Sequence, residues 1–393
     1  MMPTVSEHEV IVVGAGPGGA TTAAALARQG RDVLLIDRSA FPRDKICGDA
    51  ISVGAIRILN DLGMTDKVRA AVQRGEFYSL SGMRLFSPSG HMLQAPFQHG
   101  EGDEDSYVAP RVYFDAAIQQ HALECGAGFV RADVQEPLLE DGRVVGVVAR
   151  ENGHVQAHRA QVVVGADGVT STIMRHLRPE SNQHVDLHRA VALRAYVEDI
   201  ELYPHEVEFY LYDEILPGYA WIFPTAERTA NVGLGMRLDI FRRHKRNLKK
   251  MLADFLAMPT IRRRLGSGSQ VRDVAIWQLN FGSQPRLQHV FDGALLVGDA
   301  AGFINPLTGG GIHNALISGI LAAETIDEAL RAGDVTREGL RRYEQRCDEE
   351  MWSGMRKSFL YQRILLNYPN VVDALIRVLG RHGGVTKTFV SKL

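Results

Sequence analysis

Glu9-Val10-Ile11-Val12-Val13-Gly14-Ala15-Gly16-Pro17-Gly18-Gly19-Ala20 is the stretch whose reading decides the fold. A short β-branched run over residues 9–13 stops at a glycine cluster. An alanine-rich helical segment over 20–29 follows, with Gly30 placed as its C-cap, and residues 32–36 read as the next strand. Strand, glycine turn, helix, strand is the setting in which a G-x-G-x-x-G spacing binds a dinucleotide. Gly14 permits the tight turn, Gly16 lets backbone approach a pyrophosphate, and Gly19 allows close helix–strand packing. The helix then turns its free N–H groups and positive dipole end toward the phosphates. Asp37 stands 18 residues beyond Gly19, at the end of the second strand, where a carboxylate accepts both ribose hydroxyls and disfavours a 2′-phosphate.

Working outward, two more apolar strands end in Gly165-Ala166-Asp167-Gly168 and Val297-Gly298-Asp299-Ala300. Both fit parallel strands feeding a cofactor cleft at their carboxyl ends. Asp299 suits the ribityl or pyrophosphate side of a flavin. Thr308-Gly309-Gly310-Gly311-Ile312 opens another helix, whose N–H groups would stabilise the negative charge of a reduced flavin. These segments favour FAD over NAD. Arg111 begins a helix running to about Gly126 and is a candidate for the cofactor's polar chain. Ala15, Pro17, Gly18, Ala20, Arg38, Val134, Asp167 and Gly168 complete the residues assigned to the cofactor.

With 393 residues, 45% of them hydrophobic and 23% charged, the chain has the composition of a soluble protein of more than one lobe. A net charge of -2 offers no electrostatic case for nucleic acid. Cys47, Cys125 and Cys347 lie far apart, which argues against zinc or a disulfide framework and for a reducing cytoplasm; no metal is expected. The first ten residues lack a signal-peptide pattern, and no apolar run reaches the ~20 residues that span a bilayer. Contact with a membrane surface stays open.

The fold class expected is α/β with two lobes. A Rossmann-like FAD-binding domain is made discontinuously from 1–76, 106–186 and 281–335. An interwoven antiparallel-sheet substrate domain is made from 77–105 and 187–280, and a helical C-terminal segment from 336–393. Within the substrate domain a single basic helix is expected over 241–258. Its charges, Arg242 to Arg246 with Lys249 and Lys250, read first as a solvated face over buried Leu248, Met251, Leu252 and Phe255, with recognition of a prenyl diphosphate or lipid headgroups as the alternative. Lys45 and Asp49 read by default as surface charges.

Tyr219-Ala-Trp221-Ile-Phe223-Pro224 is followed after eight residues by Gly233-Leu-Gly235. Alternation puts Tyr219, Trp221 and Phe223 on one face of a strand, a pattern compatible with plain core or with a wall for a greasy substrate. In a chain only 7% aromatic, such clustering is informative.

Taken together, GAGPGG, Asp37-Arg38, Arg111, GADG and GDAAGFINPLTGGGI resemble the FAD-dependent superfamily that includes p-hydroxybenzoate hydroxylase. Within it, Pro42-Arg-Asp-Lys45-Ile-Cys47-Gly48-Asp49 and the YxWxFP–GxG motif resemble geranylgeranyl reductases, over roughly residues 9–324. The resemblance implies non-covalent FAD and saturation of isoprenoid C=C bonds by hydride from flavin N5 plus a proton. It places Tyr219, Trp221, Phe223, Gly233 and Gly235 at the substrate, and Cys47, Gly48 and Asp49 beside the flavin. Cys47 and Tyr219 are the proton-donor candidates, and Trp221 is a candidate to stabilise developing positive charge. The electron donor stays open between NAD(P)H and a ferredoxin-like protein. A flavin monooxygenase or halogenase on a hydrophobic substrate is the alternative, although halogenases carry WxWxIP where this chain has Tyr219 and Phe223. A lipid-binding electron-transfer flavoprotein is a second alternative.

Overall fold

The strand read first, Ser6–Val13 in the computed structural model, lies at the centre of an eight-stranded sheet. Residues 6–97, 105–179, 183–365 and 368–379 are described. The expectations that fall on 1–5, 98–104, 180–182, 366–367 and 380–393 lie outside the described residues.

Parallel to Ser6–Val13 run His154–Gly165 on one side and Val33–Asp37 on the other. Gly128–Arg131 continues the sheet beyond Val33–Asp37, and Ala294–Leu296 continues it beyond His154–Gly165. Val10, Ile11 and Val12 are fully buried, as both faces of a parallel sheet are covered. The helices Pro17–Arg28 and Ile312–Ala332 pack closely against each other. A Cβ on Gly18 would stand 3.2 Å from the Ala315 carbonyl oxygen, and one on Gly319 only 2.6 Å from that of Gly18. Glycine at both crossings is what permits the approach. These elements belong to a compact unit of Met1–Arg43, Val112–His184 and Asn280–Arg356. Tyr343, Cys347, Met351 and Met355 join its core, and the Tyr343 hydroxyl donates to the Leu296 carbonyl at 2.8 Å.

The second unit comprises Asp44–Arg111, Val185–Leu279 and Lys357–Leu393. Its seven-stranded sheet runs in the order Leu265–Asn280, Arg189–Ile200, Thr229–Arg237, Tyr219–Ala226, Glu206–Tyr210, Gly82–Phe86, Met92–Pro96. Among the registered pairs, only Glu206–Tyr210 with Gly82–Phe86 is parallel. The helix Leu248–Ala257 covers one face through Leu248, Met251, Leu252 and Phe255. Glu208 is buried in this sheet. The Arg264 guanidinium donates to its carboxylate oxygens at 2.6 and 2.7 Å, and the Tyr210 hydroxyl donates at 2.5 Å.

The single basic helix expected over 241–258 is two helices, Leu238–Arg243 and Leu248–Ala257. Lys245 takes a positive φ of 47°, and the Asn247 side chain accepts from the Lys250 N–H to start the second helix. Arg242 pairs with Asp186 and Lys250 with Asp254, so these charges serve an exposed face. The architecture is α/β, with a Rossmann-like parallel sheet, a largely antiparallel second sheet and C-terminal helices.

Candidate cofactor and substrate sites

The glycine turn is tight enough to exclude side chains. Gly14 has φ +103°, and a Cβ there would lie 2.4 Å from the Ala166 carbonyl oxygen. A Cβ on Gly19 would lie 1.9 Å from the Gly14 oxygen. Gly16 differs: among the described residues its missing Cβ would meet only an Arg43 nitrogen, at 3.7 Å, so its surroundings are a cradle and not a packed contact. Arg43 is anchored there by the buried Asp115 carboxylate at 2.8 Å. The Asp37 carboxylate accepts from the Ala15 and Ser39 N–H groups at 2.8 Å each, which fixes it at its strand's end.

Two long helices of this unit begin on glycine. Gly16 precedes Pro17–Arg28 and Gly311 precedes Ile312–Ala332; neither N-terminus has a side-chain cap or an acidic residue in its first turn. By contrast, Ser52, Ser171, Asn247 and Thr336 cap shorter helices. The uncapped N–H groups are donors suited to an anion, and an open glycine beside an arginine suits a pyrophosphate. The residues therefore fit FAD.

Asp299 lies in the helical turn Gly298–Ala301, and a Cβ on Gly311 would approach its Oδ1 to 3.4 Å. Asn305 orders the loop before Gly311: its side chain accepts from Leu307 and Thr308 N–H, and its carbonyl accepts from Gly309 N–H. Asp167 has a structural duty. Its carboxylate accepts from the Thr172 N–H at 2.6 Å and from the Ser171 hydroxyl, capping the helix Thr172–Leu177, while Gly168 supplies a φ of +81°. Val134 is buried in the core, in register with Ala149.

In the second unit the aromatic motif is explained by its partner strand. Tyr219 lies opposite Gly235, Trp221 opposite Gly233 and Phe223 opposite Asn231. Ala220 and Ile222 point to the helix-covered core, whereas Tyr219, Trp221 and Phe223 gather with Phe209, Leu80, Val108 and Val207. Edge contacts of Phe209 with Tyr219 and Phe223, at centroid separations of 5.4 and 5.2 Å, hold the rings in place.

The loop Cys47-Gly48-Asp49 lies on these rings, since a Cβ on Gly48 would come within 3.2 Å of Phe223 and 3.6 Å of Trp221 Nε1. Asn231 ties loop and wall together. Its side-chain oxygen accepts from Trp221 Nε1 at 2.9 Å, and its amide nitrogen donates to the Cys47 carbonyl at 2.8 Å and to Asp49 Oδ2 at 2.7 Å. The Tyr196 hydroxyl donates to the same Oδ2 at 2.6 Å. Asp49 is fully buried, contrary to its expected surface role. Burial raises its carboxyl to about 6, against the lowering effect of the Tyr196 and Asn231 hydrogen bonds and the Arg194 and Arg111 charges. Lys45 is not simply solvated either: its ammonium sits 3.6 Å from the Trp277 ring centroid. Arg111 is buried, and burial followed by the Asp49 charge pushes the Cys47 thiol up, opposed by Arg111. Burial likewise raises the Tyr219 phenol.

Residues 14–20, Asp37, Arg38, Val134, Asp167, Gly168, Asp299 and 309–312 thus belong to the first unit. Cys47, Gly48, Asp49, Arg111, Tyr219, Trp221, Phe223, Gly233 and Gly235 belong to the second. Sequence reasoning missed Arg43, Asp115, Tyr196 and Asn231. Only Asn231 left a signal, as an amide within the apolar run Thr229–Arg237.

The family model described as FAD binding domain matches residues 7–358. A digeranylgeranylglycerophospholipid reductase of Methanocella arvoryzae is 32% identical over 365 residues, covering 92% of this chain and 88% of the relative. A second reductase of that name, from Methanopyrus kandleri, is 34% identical, covering 88% and 87%. The chain belongs to the geranylgeranyl reductase family of FAD-binding proteins. Its cofactor is FAD. A geranylgeranyl bacteriochlorophyll reductase-like structure from Thermoplasma acidophilum superposes with a TM-score of 0.83 at 28% identity, covering 96% of this chain and 92% of that one. A flavin-dependent brominase, at 21% identity and TM-score 0.73 over 98% and 99%, shares the fold alone. Among the described residues no His/Cys/Asp/Glu group could hold a metal ion, and no helix is long and apolar enough to cross a membrane.

Proposed function

We propose that this family member is an FAD-dependent reductase that saturates C=C bonds of a geranylgeranyl or polyprenyl group. The observation that carries the reading is the strand on which Tyr219, Trp221 and Phe223 each face a glycine or Asn231, leaving a ring surface beneath the Cys47–Asp49 loop. An apolar, ring-lined surface suits an isoprenoid chain, and reductases similar in sequence are named for geranylgeranyl lipids. The flavin-binding segments are proposed as 1–76, 106–186 and 281–335, and the substrate segments as 77–105 and 187–280.

The turn Gly14–Gly19 and the helix after it would hold the pyrophosphate, with Arg43 alongside. Asp37 would hold the adenosine ribose, and Gly309–Ile312 the flavin. When bound and reduced, FAD supplies the hydride. An isolated alkene accepts hydride readily only as a proton arrives on its other carbon, with cationic character between. Trp221 and Tyr219 offer ring faces to that charge, worth on the order of 1–2 kcal/mol each when water is excluded. NAD(P)H or a ferredoxin-like protein is the proposed source of electrons, and a prenyl lipid as substrate implies contact at a membrane surface.

Anaerobic reduction of the FAD-loaded protein, followed by geranylgeranyl diphosphate or a polyprenyl quinone, tests the reading. Flavin reoxidation with a gain of two hydrogens in the lipid is expected. Reduced flavin that persists until air is admitted, with oxygen then entering a product, would establish a monooxygenase instead.

A further inference from the structure

The two oxygens of the Asp49 carboxyl are not equivalent. Oδ2 accepts two hydrogen bonds, from Tyr196 at 2.6 Å and Asn231 at 2.7 Å, whereas Oδ1 is buried with no partner among the described residues. Burying an ionised carboxylate is costly, and a proton on Oδ1 removes that charge. The chain is bent to hold this arrangement: Asp49 takes φ 66°, its N–H meets Cys47 Sγ at 3.3 Å, and its carbonyl accepts from Ala109 N–H at 2.8 Å. The ionisable groups facing it are Cys47 from its own loop, Tyr196 and Arg194 from the strand Arg189–Ile200, and Arg111. Arg194 is itself committed to Asp44, at 2.5 Å.

We propose that Asp49 is the acid of the reduction, carrying its proton on Oδ1 and delivering it to the alkene. This rests on the reductase reading. As the C=C π bond opens, the Asp49 O–H bond breaks and gives its proton to one carbon, and FAD, when bound and reduced, would supply the hydride for the other. Both electrons come from the reduced cofactor. Asp49 remains as a carboxylate, held by the two donors on Oδ2 and the positive charges of Arg194 and Arg111, and a solvent proton restores the acid. Its position supports the role: Asn231 joins Asp49 directly to Trp221, and Gly48 next to it touches Phe223 and Trp221. Cys47 and Tyr219 are both raised by burial away from neutrality. Asp49, at about 6, is the better matched acid near neutral pH.

Asp49→Asn, Asp49→Glu and Tyr196→Phe in the FAD-loaded full chain test this. Infrared titration of aspartate-labelled protein should show a protonated carboxyl band that disappears as pH rises through about 6, and that Asp49→Asn lacks. In anaerobic single turnover with geranylgeranyl diphosphate or a polyprenyl quinone, Asp49→Asn should reoxidise about 100-fold or more slowly, with Asp49→Glu partly restored. The wild-type rate should fall above the same pH. Turnover by Asp49→Asn within about threefold of wild type, or no titrating band, overturns the proposal. If Asp49→Asn loses FAD, Tyr196→Phe decides: loss of a donor to the carboxylate should move the falling limb to higher pH, and an unmoved limb overturns it. A wild-type protein that reduces neither lipid overturns the reductase reading and this one with it; turnover in both wild type and Asp49→Asn overturns Asp49 alone.

Discussion

Trp221 and Gly233 face each other across neighbouring strands, and a Cβ on Gly233 would lie 2.2 Å from the indole Cζ2 and 2.3 Å from the Leu193 carbonyl oxygen. The indole occupies the space a side chain at 233 would need. Gly233→Ala must displace both ring and backbone, costing about 1–3 kcal/mol or more as overpacking. Thermal melting should show the loss, and prenyl-lipid binding should weaken with it. An unchanged melting temperature would mean that the ring is not held against residue 233.

Glycines with the same backbone sign should differ in tolerance. Gly14 at φ +103° is packed on Ala166, whereas Gly30 at φ +82° has none of the described residues within 4 Å of its Cβ position. Gly14→Ala combines strain with a clash against backbone, so the purified protein should be colourless or lose FAD on gel filtration. Gly30→Ala should cost only about 1 kcal/mol and stay yellow. Equal effects at both positions would contradict the packing described.

Glu208 depends on Arg264. The carboxylate is 1% exposed and takes two charged hydrogen bonds from that guanidinium. Arg264→Met removes them and leaves a buried charge with only Tyr210, for a loss of about 3–5 kcal/mol. The double variant Arg264→Met/Glu208→Gln should recover much of it, since no unpaired charge then remains. A denaturant series on wild type, Arg264→Met, Glu208→Gln and the double variant measures the coupling, and additive effects would show that the pair is not coupled.

Asp49 makes stability depend on pH. Its carboxyl stands at about 6 in the fold and at 3.8 in an unfolded chain. Between those values the folded state binds more protons than the unfolded one, so stability falls as pH rises through the window. The contribution is fully present below the unfolded value and lost above about 6, amounting to about 3 kcal/mol. The melting-temperature difference between wild type and Asp49→Asn should therefore shrink or reverse from pH 4 to pH 7. A difference that does not change with pH would mean the carboxyl is ionised throughout.

Local spacing determined the cofactor half of this protein. The glycine turn, Asp37 at the strand end and the glycine-opened helix at Ile312 are properties of short segments, because steric limits on φ and the free N–H groups of a helix end act within a few residues. The direction of the aromatic face was legible for the same reason, since a strand alternates with period two. Tertiary structure alone decided what the face meets. Whether Asp49 is solvated or buried, that Asn231 joins it to Trp221, that Tyr196 supplies its second hydrogen bond and that Asp115 anchors Arg43 all depend on residues far apart in the chain. Burial of a charge and the satisfaction of its oxygens are set by what folds against it, and no residue type or spacing in one sequence carries that information.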